Sequence, residues 1–341
     1  MGSISVVSKK VSVGIIANPA SGSDIRRLVS LGTVFGIQEK INIIKRALVG
    51  LASAGFDQVY IMPDVYHMGE AALKRLPQEL ANLSDKVVLL DMAVENSPDD
   101  SINAARQMRK VGVGCIIVLG GDGTNQAVAK GCGAVPILPI STGTNNVISY
   151  FIEGTVAGLA AGYVARFPEF LTQVAFCSKW LEIVVDGHEN DLALVDVAVV
   201  TGLVVGSRAI WEPEKLQQAI LTRAEPSSIG ISSIGGYIVP LSPQEPRGLH
   251  LRFGEPKVGR VKAPLAPGLI ASFDIEELSI LKIGDEIIVQ GGQKLLALDG
   301  EREIPLRKGQ LARIRLRQDG PWIVDVFQAL QVAAKNRFFI S

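Results

Sequence analysis

Asp122 is a carboxylate inside a glycine-rich turn, where its chemistry could serve phosphoryl transfer. The turn spans Leu119–Asn125 (LGGDGTN) and follows an apolar, strand-like run. Adjacent glycines let the backbone approach a bulky anion, and the amides that start a following helix supply donors and a positive dipole end. A carboxylate adds repulsion there, so we expect Asp122 to accept a proton from an attacking hydroxyl or to hold Mg²⁺. The alternative is an ordinary Asp-Gly turn in which Asp122 only supports the loop.

Two well-known phosphate-binding patterns do not fit this turn. The dinucleotide fingerprint G-x-G-x-x-G needs a third glycine where Gln126 stands. A Walker-type loop needs a Gly-Lys pair, which the sequence does not contain. A nucleotide phosphate would therefore bind to a different loop architecture.

Two further loops of small and polar residues follow strand-like runs. Asn18–Ser23 (NPASGS) is trailed by Arg26-Arg27, and Ser141–Asn146 (STGTNN) follows a later run. Hydroxyls, guanidinium groups and backbone amides suit a phosphate, although each loop alone is also consistent with a generic turn. Because ligands bind at the carboxyl ends of the strands in open α/β sheets, we expect the three loops to converge at one edge.

The elements that must position these loops alternate between strand and helix. Continuous apolar runs indicate strands that are covered on both faces, and apolar residues at helical spacing indicate helices. The predicted strands are Ser12–Asn18, Gln58–Met62, Lys86–Leu90, Cys115–Leu119 and Val135–Ile140, and the predicted helices are Gln38–Gly55, Ser97–Lys110, Asn125–Lys130 and Gly154–Arg166. This alternation predicts an α/β fold with a Rossmann-like, mostly parallel sheet over residues 1–149.

The pattern changes after about Ser149, and residues 150–325 read as a second, antiparallel β domain. The strands predicted there are Leu181–Val185, Leu192–Val200, Ile229–Val239, Leu269–Phe273, Glu286–Val289 and Leu311–Arg317, with surface loops at Glu212–Ser228 and Ser242–Pro267. Asp-Gly pairs such as Asp299-Gly300 are typical of turns at strand ends. A final helix, Val326–Lys335, is predicted to return to the first domain, which would then include residues 326–341.

Composition excludes several classes of function. Lysine plus arginine and aspartate plus glutamate both total 34, so no bulk positive field exists to hold nucleic acid or an anionic membrane. Three cysteines and three scattered histidines form neither a disulfide scaffold nor a zinc pattern. No uncharged apolar stretch approaches the length of about 18 residues that a membrane helix needs. We therefore expect a cytoplasmic protein with a small-molecule substrate, without nucleic acid and without stable membrane association.

The three loops together carry a family resemblance. The Gly-Gly-Asp-Gly-Thr turn at 120–124, with Asn18-Pro19-x-Ser21-Gly22 upstream and Gly143–Asn146 downstream, resembles the superfamily of NAD kinases and diacylglycerol/sphingosine-type lipid kinases. Within it, IIANPASGSDIRRLV, VLGGDGTNQAV and ALVDVAVV with GSRAIW look most like the ATP-NAD kinase-like acetoin-catabolism protein X family. The resemblance implies a Rossmann-like domain and a β-sandwich domain with the active site between them, and a homodimer or homotetramer.

The resemblance also implies roles for individual residues. Asp122 corresponds to the catalytic aspartate. The residues implied to lie at the nucleotide phosphates are Asn18, Ser21, Gly22, Gly120, Gly121, Gly123, Thr124, Thr142, Gly143, Thr144, Asn145 and Asn146. ATP and Mg²⁺ are the implied cofactors, and no metal ligand is assigned.

On the acceptor side the sequence departs from each branch of the superfamily. NAD kinases hold the acceptor nucleotide with an Asn-acid pair, and Val195-Asp196 keeps only the acid. Lipid kinases carry an acid in an Asp-Gly-Glu turn, which Asp299-Gly300-Glu301 matches, but they tend to have Asn-Asp where this chain has Asn145-Asn146. Each acid also has a structural explanation, since Asp196 could be buried against backbone donors and Asp299 could simply form a hairpin turn.

Three functions follow from these observations. The first is a kinase that transfers the γ-phosphoryl group of ATP to a hydroxyl of NAD or a related small molecule. The second is a lipid kinase of the diacylglycerol type with the same fold. The third is a non-catalytic protein that binds NAD(H) or ATP and regulates a catabolic pathway.

Overall fold

The first half of the chain alternates strands and helices as its sequence predicts. A computed structural model describes residues 10–22, 35–76, 78–143, 146–202 and 213–340. In this half the elements are β1 (Ser12–Ala17), α1 (Ile37–Ala54), β2 (Gln58–Ile61), α2 (Met68–Leu73), β3 (Val87–Leu89), α3 (Pro98–Val111), β4 (Cys115–Gly120), α4 (Asp122–Cys132), β5 (Ile137–Ser141) and α5 (Gly154–Arg166). Helix α4 begins at Asp122, three residues earlier than expected, so this aspartate lies in the first helical turn.

The second half consists mainly of antiparallel strands. Its elements are α6 (Leu171–Val174), β6 (Ala175–Cys177), β7 (Trp180–Val185), β8 (His188–Ala193), β9 (Asp196–Thr201), β10 (Leu216–Leu221), α7 (Ile231–Gly236), β11 (Arg247–Phe253), β12 (Gly259–Ala266), β13 (Leu269–Lys282), β14 (Glu286–Gln290), β15 (Lys294–Leu298), β16 (Arg302–Leu306), β17 (Leu311–Arg317), β18 (Trp322–Val324) and α8 (Val326–Lys335). Short 3-10 turns lie at Gln78–Lys86, Pro168–Phe170 and Pro213–Lys215.

The first sheet has the strand order β3-β2-β1-β4-β5-β18-β6. Strands β1 to β5 and β18 pair in parallel, and β6 is antiparallel to β18. All six residues of β1 and of β4 are buried because helices cover both faces of the sheet. One face packs on α1, α5 and α8, and the other packs on α3 and α4.

Two antiparallel sheets form a sandwich. The larger has the order β12-β13-β11-β10-β9-β15-β16, and the smaller has the order β14-β17-β7-β8. Side chains from both, such as Ile183, Val199 and Ile314, share one buried cluster, as expected for two sheets that face each other. Leu194 and Val195, just before β9, pack into the core beneath α3 and α4, so the sandwich and the first sheet are joined by apolar contact.

Helix α8 returns to the first sheet, as the sequence predicts. Its buried residues Ala329 and Ala333 belong to the same core cluster as α1 and α5. Asn336 Nδ2 donates to the hydroxyl of Tyr163 on α5 at 2.7 Å. The predicted fold class, a mostly parallel α/β layer followed by an antiparallel sandwich with a returning C-terminal helix, is confirmed.

Three predictions for the second half are wrong. Residues Ile231–Gly236, within a predicted strand, form helix α7, because Gly230 at φ +90° turns the chain and small residues let the helix lie on the larger sheet. The segment predicted as a loop at 212–228 contains β10, and the one at 242–267 contains β11 and β12. Strand β10 lies between β9 and β11, so pairing on both sides outweighs its weak β propensity.

Several residues singled out in the sequence lie outside the described part of the chain: Thr144, Asn145, Ser23, Arg26-Arg27 and the segment 203–212. Of the helices that the structure does describe, none has the length and apolar character needed to span a membrane.

Candidate functional site

Three loops that follow parallel strands are hydrogen-bonded to one another at one edge of the first sheet. The Asn18 amide donates to the carbonyl oxygen of Leu119 at 3.0 Å, and Asn18 Nδ2 donates to Thr124 Oγ1 at 2.9 Å. Ser21 Oγ and Thr142 Oγ1 lie 2.8 Å apart. The structure therefore brings the loops after β1, β4 and β5 together at one edge of the sheet, where the sequence analysis expects them to converge.

A buried lysine supports the first loop from behind. Lys40 on α1 is 1% exposed, and its Nζ donates to the carbonyl oxygens of Asn18, Pro19 and Ser21 at 3.0, 2.8 and 2.7 Å. These bonds fix the loop backbone and place a positive charge directly behind it. A charge in this partly desolvated position attracts an anion that approaches the loop from the other side.

Neighbouring side chains lie close above the glycines of the second loop, so a larger residue there would have to displace them. A Cβ atom on Gly123 would run into the Glu301 carboxylate, and one on Gly121 would lie 2.9 Å from Asn146 Oδ1. Gly121 immediately precedes α4, whose first turn presents unpaired backbone amides. The turn therefore offers amide donors at close approach, as phosphate groups need.

A cavity of about 470 Å³ lies in front of these loops. Its walls come from the loops after β1, β2, β4 and β5, the start of α3, and the β15–β16 turn of the sandwich. The residues predicted from sequence that line it are Asn18, Ser21, Gly22, Gly121, Gly123, Thr124, Gly143, Asn146 and Glu301. Gly120, Asp122, Thr142, Asp196 and Asp299 do not line it.

The cavity wall is acidic. Asp64, Asp100, Glu301 and Glu303 line it, and no lysine or arginine does so among the residues that the structure describes. Asp64 and Asp100 are committed to backbone donors: Asp64 accepts from the amides of Tyr66 and Met68, and Asp100 accepts from those of Glu95 and Ser97. Burial raises the pKa of Asp64 above its ordinary value.

Asp122 points away from this cavity. Its carboxylate accepts from the Val147 amide at 2.7 Å and from the Ile148 amide at 3.0 Å, and the residue is 4% exposed. Burial raises its pKa, while these two hydrogen bonds and the charge of Arg223 oppose the rise. In this arrangement Asp122 ties the start of α4 to the segment after the third loop, and it stands behind the glycine turn.

Asp299 is also held by backbone amides. Its carboxylate accepts from Leu194, Val195 and Asp196 at 2.9, 2.8 and 3.1 Å, and burial raises its pKa to about 7. Asp299 and Gly300 have positive φ and form the turn between β15 and β16. Asp196, 7% exposed, lies within the larger sheet next to this turn. The two aspartates assigned to the acceptor therefore sit where the halves meet rather than in the cavity.

Glu301 is placed differently from the other predicted acids. It is exposed, and its carboxylate lies against Gly121 and Gly123 at the cavity wall. The β15–β16 turn carries it from the sandwich to the glycine turn of the first half. A ligand in the cavity would therefore contact both halves of the molecule.

Six polar cavity residues were missed by the sequence analysis: Asp64, Asn96, Ser97, Asp100, Ser101 and Glu303. The signal for Asp64 was available, because it closely follows the carboxyl end of β2, where the same edge rule applies. Ser97 and Asp100 were recognised only as a helix start, and they do form a capping box on α3. Nothing local marks Glu303, which reaches the cavity through the β15–β16 hairpin.

No group of three or more histidine, cysteine, aspartate or glutamate side chains within the described ranges is arranged to hold a metal ion. A divalent cation here would take most of its ligands from a bound phosphate and from water, with one or two carboxylates. This is the usual environment of Mg²⁺ at phosphate sites. Glu301 is the exposed cavity acid whose carboxylate lies against Gly121 and Gly123 of the glycine turn.

Comparison with known sequences places the chain in a family. The model of the ATP-NAD kinase N-terminal domain matches residues 13–166, and the model of the acetoin catabolism protein X C-terminal domain matches residues 179–319. Acetoin catabolism protein X of Cupriavidus necator is 36% identical over 339 residues, which cover 96% of this chain and 94% of that protein. The chain belongs to the acetoin catabolism protein X family. The resemblance read from the three loops is thereby confirmed.

Solved structures show that this member of the acetoin catabolism protein X family shares the fold of one kinase and of one protein described as a putative kinase. Yeast NADH kinase, solved in complex with NADH, aligns with a TM-score of 0.52 at 14% identity, over 98% of this chain and 89% of that one. A putative diacylglycerol kinase from Bacillus anthracis also aligns with a TM-score of 0.52, at 13% identity, over 93% of this chain and 98% of that one. At these identities the likeness shows the fold alone.

Proposed function

We propose that this protein is an ATP-dependent phosphotransferase that moves the γ-phosphoryl group of ATP to a hydroxyl of NAD or a related small molecule. The observation that carries the proposal is the cavity in which the glycine turn and the two polar loops meet. The kinase-type fold supports it. Phosphoryl transfer needs positioning and charge neutralisation more than covalent chemistry, and such a cavity can supply both.

The triphosphate would lie against the glycine turn. The amides that begin α4, the Asn18 side chain and the Thr124 hydroxyl offer donors there, and Lys40 adds a positive charge behind the first loop. The acidic wall would repel a bare polyphosphate, so we expect ATP to bind as its Mg²⁺ complex, with Glu301 as the candidate protein ligand. The cation would neutralise charge on the transferred group.

Asp122 is the proposed general base for the acceptor hydroxyl, on the side of the glycine turn away from the cavity. Its raised pKa suits proton acceptance at neutral pH better than an ordinary aspartate would. The acceptor would then approach between the first sheet and the sandwich, near Asp196 and Asp299. Closure of this cleft around the acceptor would exclude water.

One observation favours a second candidate function. The Asp122 carboxylate is already occupied by two backbone amides, as a purely structural aspartate would be. A protein with that arrangement and an intact phosphate site would bind ATP or NAD(H) without turnover and act as a regulator of a catabolic pathway.

The proposal is tested first by nucleotide binding. We expect Mg-ATP to bind the unaltered protein, and Gly123→Ser to weaken binding by about tenfold or more because its side chain meets Glu301. Gly36→Ser is the matched control: no atom of the described residues lies within 4 Å of the added Cβ, and serine is a good residue at the start of α1. Equal binding by all three proteins would remove the glycine turn from the site.

An acceptor panel then distinguishes the candidates. ADP release from Mg-ATP is measured with NAD, NADH, diacylglycerol and small polyols. Release that depends on NAD or a polyol supports the proposed kinase, and release that depends on diacylglycerol identifies a lipid kinase. Tight ATP binding without release for any acceptor favours the regulator.

A further inference from the structure

Arg223 is a fully buried cation with few partners. It is 2% exposed and follows β10. Its Nη2 donates to Ser178 Oγ at 3.5 Å, while Nε has no hydrogen-bond partner and the guanidinium has no ion pair within 4.0 Å among the described residues. A guanidinium carries five N–H donors and keeps its charge in proteins, so burying it this way costs free energy.

The other large buried cations of the described chain are fully engaged. Lys179, next to Ser178, donates through Nζ to the carbonyl oxygens of Ser242, Glu245 and Arg247 at 3.2, 2.5 and 2.6 Å. Lys40 donates to three carbonyl oxygens in the same way. Incomplete pairing is therefore a particular property of Arg223, and it needs its own explanation.

Arg223 lies where the sandwich meets the glycine turn. The preceding residue, Thr222, donates its amide to the carbonyl oxygen of Val195 at 2.9 Å, so this segment adjoins the turn that Asp299 holds. Burial raises the pKa values of Asp122 and Glu225, and the nearby charge of Arg223 opposes both rises. The guanidinium is thus near Asp122, on the side of the glycine turn away from the large cavity.

Tyr150 connects this buried group to solvent. Its side chain is 58% exposed, yet burial of the hydroxyl raises its pKa, and the charges that act on it are those of Glu225, Arg223, Asp325 and Asp122. The charges that act on the hydroxyl indicate that Tyr150 lies near Arg223 and Asp122, and the residue is itself exposed to solvent.

We propose that Arg223 binds an oxyanion, a carboxylate or a phosphate group, on a small molecule that enters beside Tyr150 and places a hydroxyl near Asp122. A guanidinium matches such a group with two parallel N–H donors, and the ligand would supply the acceptors that the described residues lack. That this molecule is the phosphoryl acceptor rests on the proposed function, whereas the oxyanion site itself does not. If so, the phosphoryl acceptor is an anionic molecule and not a neutral diacylglycerol.

The test measures anion binding without turnover. Inorganic phosphate, acetate and neutral glycerol are titrated into the Gly123→Ser protein, in which the added side chain extends toward Glu301 at the cavity wall. The same titrations are repeated with a protein that also carries Arg223→Met. We expect phosphate or acetate to bind, glycerol not to bind, and Arg223→Met to weaken anion binding by about ten- to hundredfold. Tighter binding of phosphate or of acetate identifies which oxyanion the site takes.

Two controls separate binding from folding. Lys179→Met removes an adjacent buried positive charge that is bonded to three backbone carbonyl oxygens, so it should lower the melting temperature and weaken anion binding much less than Arg223→Met does. Arg223→Met should leave the ligand-free melting temperature within about 3 °C of its parent. Arg223→Lys, which keeps the charge, should bind more weakly than arginine. Anion binding that is absent from the parent, or equal in Arg223→Met, would overturn the proposal whatever the outcome of the ATP experiments.

Discussion

Replacing the buried Asp122 should affect both activity and stability. Asp122→Asn should reduce acceptor-dependent ADP release by about a hundredfold or more if this side chain is the base. It should also lower the free energy of unfolding by about 1–3 kcal/mol, because an amide accepts from only one of the Val147 and Ile148 amides. Single-turnover assays and urea unfolding measure the two effects.

Asp57→Asn is the control for that substitution. Asp57 accepts from the Val11 amide at 2.7 Å and does not line the cavity, so its change should affect stability alone. If a folded Asp122→Asn protein retained full turnover with any acceptor, Asp122 would have only its structural role.

Asp299 should make stability depend on pH. Its pKa is about 7 in the folded protein against an ordinary value of 3.8, so the folded state binds a proton that the unfolded chain has released. The contribution of Asp299 to the free energy of unfolding is therefore largest near pH 4, and it falls by on the order of 4 kcal/mol as the pH rises to about 7. Urea unfolding between pH 4 and 7.5 should show a shallower fall for Asp299→Asn.

Asp186→Asn provides the comparison, since Asp186 occupies an equivalent Asp-Gly turn between β7 and β8 but is exposed. Its stability profile should follow that of the unaltered protein. Identical slopes for all three proteins would show that Asp299 remains ionised throughout this range.

Lys40 should act on nucleotide binding through the loop that it supports. Lys40→Met removes three hydrogen bonds to loop carbonyl oxygens and the charge behind them, so we expect Mg-ATP binding to weaken by about tenfold. Lys45→Met, on the same helix, should bind normally. Calorimetric titration measures the affinity for Mg-ATP and the fraction of active protein separately. Weaker binding can therefore be distinguished from a loss of folded protein.

Among the elements, helices α1 and α5 cross at close distance on small residues. A Cβ atom on Gly158 would run into the carbonyl oxygen of Ala47, and one on Gly50 would run into that of Thr155. Gly158→Ser should lower the free energy of unfolding by about 1–3 kcal/mol although serine is the better helix former. Gly36→Ser should leave urea unfolding unchanged, and an equally stable Gly158→Ser protein would show that the helices can separate without loss.

Much of the element order could be predicted because its signals are local. Continuous apolar runs identified β1 and β4, and the Ser97 cap identified α3. Strand β12 was missed because it is an edge strand whose polar side chains and Pro264 face away from the core, so it reads as a loop. Helix α7 was missed because it has only six residues, and a short buried helix cannot be told from a buried strand by its sequence pattern.

The candidate site could be predicted only in part, for a related reason. The loops after β1, β4 and β5 follow from the edge rule. The direction of the Asp122 side chain depends on the amides of Val147 and Ile148, which follow it by 25 and 26 residues, beyond α4 and β5. The isolation of Arg223 depends on residues from several segments, and no spacing in the sequence reveals it.

At the scale of the whole molecule, the cavity joins the two halves of the chain. Its walls include residues 18–22 and, from the glycine turn, Gly121, Gly123 and Thr124 of the first half, and Gly300, Glu301 and Glu303 of the sandwich. Bound Mg-ATP should therefore slow amide hydrogen exchange in all three segments together, because each loses access to solvent. Exchange measured by mass spectrometry checks this. Protection confined to the first two segments would place the nucleotide away from Glu301.

The position of β18 has a consequence for synthesis. This strand inserts between β5 and β6, so the first sheet receives its last two strands only after residue 324 has left the ribosome. Until then the edge of β5 is exposed and able to pair with another chain. We expect nascent chains halted before Trp322 to require chaperones, even though every loop of the candidate site has already been made.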